Sequence, residues 1–141
     1  MSPVREVVVR GNGGSFAQLV EVDGLHLVAD EPVAFGGSGT GPTPYDLLLA
    51  ALGTCTSMTV GLYARKHQMP LETVTVRLSH ARVHETDCAE CAEHDRSLDR
   101  ITLTLELAGP LNEEQRTRLR QIAARCPVHK TLTSNIEIEI R

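Results

Sequence analysis

Hydrophobic positions along this chain change their period four times, and each change marks a switch between strand and helix. Residues 6–10 are rich in valine, Gly11-Asn12-Gly13-Gly14 reads as a turn, and residues 16–22 with 25–28 predict a β-hairpin around Asp23-Gly24. A glycine-rich stretch at residues 36–41 follows. It lacks the Lys-Ser/Thr ending of a phosphate-binding loop and is expected to be a flexible entry to the next element. From Thr43 the period becomes helical. Thr43 can cap a helix, Pro44 occupies the first helical position where its missing N–H costs nothing, and Asp46 completes a capping-box pattern. Leu48, Ala51, Leu52, Cys55, Met58, Thr59 and Leu62 recur at i, i+3, i+4 and i+7, which places Cys55 on the expected packing face. This helix should run to about His67 and end before Pro70.

Beyond it the period returns to two. Residues 74–83 and 101–107 alternate and predict two antiparallel strands, joined by the polar stretch 84–99. A second helix is predicted after Asn112 as its cap, with Glu113 and Glu114 suited to the positive end of the helix dipole. Arg116 to Arg125 bring positive charge toward its negative end, and Leu119, Ile122 and Ala123 form the apolar stripe. Pro127 is expected to stop it. Ile136, Ile138 and Ile140 alternate with Glu137 and Glu139, the pattern of a half-buried last strand. The first helix is too long and too apolar for the narrow stripe of the second to cover, so a partner subunit is expected against it.

A chain of 141 residues fits a single domain, 1–141, large enough for a real core. Hydrophobic residues at 41% and charged residues at 23% are ordinary for a globular protein, and no apolar run is expected to approach the roughly 18 residues of a membrane span. The N-terminal MSPVREVVVRGNGG has no secretory signature, so a reducing cytoplasm is expected and membranes are not. The four cysteines then read as catalytic, metal-binding or buried groups rather than a disulfide framework. A net charge of −4, no basic block and no tryptophan argue against nucleic-acid binding.

Each cysteine has more than one reading. A cysteine on an apolar helix face, as Cys55 is, is most often an inert small hydrophobe. Cys126 is surrounded in sequence by Arg125, His129 and Lys130, whose charge would favour a thiolate, although His129 could equally bond a helix-end carbonyl. Cys88 and Cys91 form a Cys-x-x-Cys with His80, His84 and His94 nearby, compatible with zinc, with a redox dithiol or with a solvated hairpin tip. On one strand His80 and His84 would stand roughly 13 Å apart, so both cannot reach one ion. Cys88, Cys91, His94 and His84 remain as the possible ligands.

GPTPYDLLLAALGTCTSM and RCPVHKTL, taken together, resemble the two cysteine motifs of the OsmC/Ohr family of osmotically inducible and organic-hydroperoxide-resistance proteins. The resemblance implies an α+β fold: N-terminal β-strands, a long central cysteine-bearing helix, antiparallel strands, a second helix and a C-terminal strand, assembled as an intertwined homodimer. It implies Cys55 as the peroxidatic residue and Cys126 as the resolving one, reducing small organic hydroperoxides at the expense of a dithiol reductant, without a cofactor. It also implies an arginine from the N-terminal strands, here Arg10, and a glutamate directly after the helix-starting proline. This chain has Tyr45 at that position and its nearest carboxylate at Asp46, and it has His129 where the family usually has serine. Asp46 and Cys55 are nine residues apart, roughly 13 Å along a helix, so any carboxylate assistance to Cys55 would come from across a subunit interface. Two other functions fit the same residues: a non-catalytic protein of this fold binding an apolar ligand between subunits, and a metal-linked protein using Cys88 and Cys91.

Overall fold

The computed structural model describes residues 5–84 and 97–141, and the chain divides into two compact units, residues 1–48 and 49–141. The first unit is a three-stranded antiparallel meander of β1 (Val8–Gly11), β2 (Gln18–Val22) and β3 (Leu25–Ala29). Asp23 and Gly24 turn the β2–β3 hairpin with φ of 49° and 78°, the left-handed pair that matches strand twist. A short 3₁₀ turn at Val33–Phe35 follows. The segment after it is less free than its glycines predict. The buried Asp30 carboxylate accepts the backbone N–H groups of Glu31, Ser38 and Thr40 and the Thr40 hydroxyl, and so ties the two ends of the loop together.

Helix α1 (Pro44–Lys66) starts as its sequence predicts, with the Thr43 and Asp46 side chains each accepting the other's backbone N–H at 3.1 and 3.0 Å. Its buried face differs from the expected one. Leu52, Gly53, Thr56, Val60 and Ala64 are buried, whereas Leu48 and Leu62 are exposed and Met58 is 71% exposed. The helix is apolar nearly all round, so periodicity in its sequence cannot select the packed face. By length and composition alone it could cross a membrane, contrary to the expectation that no segment reaches that length.

In the second unit, β4 (Thr73–His84) and β5 (Ser97–Ala108) pair antiparallel over their full length, with Val74, Val76 and Leu78 opposite Leu107, Leu105 and Leu103. Val60 and Ala64 of α1, Leu105 and Leu107 of β5, Leu111, and Leu119 and Ala123 of α2 (Glu113–Ala123) form the core. α1 comes so near β4 that a Cβ at Gly53 would lie 2.7 Å from Leu78 Cδ1. Asn112 caps α2 in a capping box with Gln115. The α2 arginines do more than balance a helix dipole: Arg116 donates to the Leu107 and Gly109 carbonyls and Arg120 to the Leu105 carbonyl.

Two expectations fail at the C-terminus. Pro127 does not merely stop α2; it opens a further helix, α3 (Pro127–Leu132), because proline's fixed φ suits a first turn as well as it ends the preceding one. Residues 135–140 form no strand among the described residues, and Ile136, Ile138 and Ile140 are exposed, the last at 92%. An alternating segment without a neighbouring strand has no ladder to join.

Candidate functional site

The turn between α2 and α3 brings Cys126 to Cys55. Cys126 has extended backbone angles (φ −60°, ψ 136°), caps α3, and its Sγ accepts the His129 N–H at 3.3 Å. It is wholly buried, while Cys55, one helical turn beyond Leu52 on α1, is half-buried. The two thiols lie near enough for each to shift the ionisation of the other. Thr59 favours ionisation of Cys55, Thr56 favours that of Cys126, and the Val128 backbone favours both. Thr56 is itself fully buried and also donates to the Leu52 carbonyl at 2.8 Å.

The two thiols are pushed in opposite directions. Burial raises Cys55 above the ordinary thiol value, and its hydrogen bond and repulsion with Cys126 raise it further. Burial pushes Cys126 up as well, but the hydrogen bonds from Cys55, the His129 N–H, Thr56 and the Val128 backbone outweigh it and hold Cys126 below that value. The pair therefore shares its first negative charge with the larger part on Cys126 and the proton on Cys55. Sequence reasoning looked to Arg125, His129 and Lys130 for this effect. The structure supplies it through hydrogen-bond donors instead.

Residues of α1, β5, α2 and α3 line an open cavity of about 450 Å³, whose lining includes Leu52 and His129, each three residues from one of the cysteines, but neither cysteine itself. Leu52, Leu103, Leu105 and Leu132 give it apolar walls, and Arg120 and His129 add polar groups. Arg10 and Asp46 are occupied differently. Arg10 pairs with Glu21 of the neighbouring strand, and Asp46 closes the α1 capping box. His80 bonds Asp99 at 2.9 Å. Cys88, Cys91, His94 and the His84 side chain lie outside the described residues, and no cluster of three potential ligands for a metal occurs among the described ones.

A family model described as OsmC-like protein matches residues 37–141, a span that includes both cysteine motifs. The chain belongs to the OsmC-like family. Solved structures agree at the level of the fold. An organic hydroperoxide resistance protein OsmC from Legionella pneumophila superposes with a TM-score of 0.67 at 19% identity, covering 94% of this chain and 91% of that one. An OsmC-like protein from Mycoplasma pneumoniae gives 0.67 at 18% identity, with 95% and 90% covered. The organic hydroperoxide resistance protein OhrB of Bacillus subtilis gives 0.64 at 19% identity, with 94% and 92% covered. Comparison with curated proteins returned no match. Within this OsmC-like chain, Thr56 and the Val128 backbone are the site groups that sequence reading missed. A threonine in an apolar helix carries no visible signal until the distant Cys126 turn is folded onto it.

Proposed function

We propose that this protein reduces organic hydroperoxides with the Cys55–Cys126 dithiol, as part of an oxidative stress response. The observation that carries the reading is the convergence of two cysteines from distant parts of the chain, near enough that each shifts the ionisation of the other. As a thiolate, Cys55 attacks the terminal oxygen of the hydroperoxide and the O–O bond breaks. The alkoxide takes a proton and leaves as alcohol, and Cys55 becomes a sulfenic acid. Cys126 then attacks that sulfur, the S–S bond forms, and the hydroxyl leaves as water with the Cys126 proton. A small or protein dithiol restores the pair by exchange. The largely apolar cavity that reaches Leu52 and His129 suits the organic part of the substrate.

This reading includes a cytoplasmic homodimer that uses no cofactor and engages neither nucleic acid nor membrane. Exposed Met58 and Leu62 on α1 and the unpaired isoleucines at 136, 138 and 140 support association, with an interface on the order of 2,000 Å². Arg10 and Asp46 are the family-implied auxiliary residues, contributing to Cys55 only once released from their present partners. Cumene hydroperoxide added to the reduced protein should consume two thiols per chain and yield a Cys55–Cys126 linked peptide in mass spectra. Undiminished thiols would leave the non-catalytic ligand-binding reading. Sedimentation should show a dimer at micromolar concentration, and a compact folded monomer there would remove the subunit assembly.

A further inference from the structure

We infer that the cavity lined by α1, β5, α2 and α3 is a binding site for a small amphiphilic carboxylate, with Arg120 holding the carboxylate and a stripe of β5 receiving the apolar chain. The inference requires no peroxide chemistry. It assigns a ligand to a cavity whose lining excludes both cysteines.

The cavity has a direction. Asp99, Ile101, Leu103 and Leu105 line it from alternate positions of β5, and alternate residues of a strand share one face. The six residues of strand from Asp99 to Leu105 span about 20 Å. Between these ends the strand presents Ile101 and Leu103 to the cavity. At the Leu105 end stands Arg120 of α2, whose Nη1 donates to the Leu105 carbonyl at 3.0 Å. The site is apolar along its length and charged at its two ends. Its volume of about 450 Å³ lies within the roughly 300–1,000 Å³ typical of small-molecule sites.

The two ends differ in what remains to be paired. Asp99 is already engaged, by His80 Nε2 at 2.9 Å and by Arg82 Nε at 3.8 Å. Arg120 donates to the Leu105 carbonyl alone among the described residues, and no carboxylate pairs with it there. That one bond ties the guanidinium to the cavity wall and leaves its Nε–H and Nη2–H edge without a protein acceptor. Two parallel donors on a planar fork match the two oxygens of a carboxylate. A neutral apolar ligand would leave the fork to water, and a small polar anion would leave Ile101 and Leu103 uncovered. One guanidinium beside an apolar stripe complements a single negative charge on an apolar chain. The length of β5 separates that charge from Asp99 by more than a Debye length of about 8 Å, so their repulsion is screened. Of the other polar side chains in the lining, Thr133 donates to the His129 carbonyl at 2.9 Å, and the His129 imidazole belongs to the α3 wall.

The test is isothermal titration calorimetry of the reduced protein with sodium octanoate, octan-1-ol and sodium acetate. Octanoate should bind at least tenfold more tightly than octanol, which lacks the charge, and than acetate, which lacks the chain. Arg120→Gln should weaken octanoate binding about tenfold and leave octanol binding unchanged. Arg120 also holds the Leu105 carbonyl, so should Arg120→Gln not fold, the three probes on the unaltered protein still decide. Absence of octanoate binding, equal binding of octanoate and octanol, or a folded Arg120→Gln that binds octanoate like the unaltered protein overturns the inference. None of the probes carries an O–O bond. Failure here therefore leaves the peroxidase reading intact, and a protein inert to peroxide that still selects octanoate over octanol retains this site.

Discussion

Asp30 in the first unit and Cys126 in the second are both buried acceptors at the centre of a turn, and they teach different lessons about what such a turn is for. Asp30 accepts three backbone N–H groups and one hydroxyl. The Thr40 hydroxyl is the largest influence, and against the opposing effect of burial these donors hold the carboxyl below its ordinary value of 3.8. Most of its donors are fixed amides that cannot give up a proton, so the charge is permanent and the loop it organises is structural. Cys126 accepts a fixed amide too, from His129, but its neighbour Cys55 is itself a titratable group that can give or take a proton. An acceptor held by amides and a hydroxyl makes architecture; one that faces a second titratable group can take part in chemistry.

The sharpest way to break this contrast is to remove each sulfur. Cys55→Ser should reduce peroxide-dependent thiol loss to background, and Cys126→Ser should leave a sulfenic acid at Cys55 that dimedone traps and mass spectrometry detects. Retained turnover in Cys55→Ser would show that the assignment of the attacking residue is wrong. The same deletions should leave the Asp30 loop untouched, as judged by limited proteolysis.

The next effect is in pH. Because Cys126 is held below the ordinary thiol value and Cys55 above it, the first ionisation should appear below 9.0 and the second above it. Alkylation and peroxide reaction at Cys55 should therefore rise with pH through the second step, and in Cys126→Ser, which removes the repulsion from Cys126, Cys55 should ionise at a lower pH than that second step. For stability the signs are opposite. The depressed Cys126 contributes stability that is present above the ordinary thiol value and lost as pH falls through its lower folded value. The raised Cys55 contributes stability present below that value and lost as pH rises through its folded one. Two equal, independent thiol titrations would contradict the pairing.

Asp30→Asn tests the other half of the comparison. It keeps the shape and weakens each charge-assisted bond, so thermal stability should drop and cleavage within residues 31–41 should accelerate, with no change in thiol titration. In the unaltered protein, the Asp30 contribution is present above 3.8 and lost as acid carries the carboxyl through its lower folded value. The smallest effect is expected from Cys88→Ser with Cys91→Ser. Peroxide reduction should stay within about twofold, a difference worth under 0.5 kcal/mol, and loss of activity together with bound zinc would instead revive the metal reading.

How much of this was legible depends on whether a signal was local. The Thr43–Asp46 capping box, the Asn112 cap, the Asp23-Gly24 turn and the alternation of β4 against β5 are written within a few residues of themselves, and all appear. The buried face of α1 was not legible. Leucines on every side leave the choice to tertiary packing, which buries Gly53 and Thr56 and leaves Met58 outside. The cysteine pair was reached through its family resemblance, while its electrostatics depend on where hydroxyls and amides converge. Arg125 and Lys130 stand next to Cys126 in sequence, and neither is among the groups that tune it.

Arg116 and Arg120 stand one helical turn apart on α2 and donate to the carbonyls of Leu107 and Leu105, two residues apart on β5. Helix and strand repeats coincide there, since one turn of helix and two residues of strand advance by similar lengths. Guanidinium groups take the acceptors along which a foreign strand would otherwise dock, so β5 offers a blunted margin to edge-to-edge aggregation. Among the described residues β4 pairs with no strand but β5, so the α2 arginines leave the β4 side as the one where this sheet could grow.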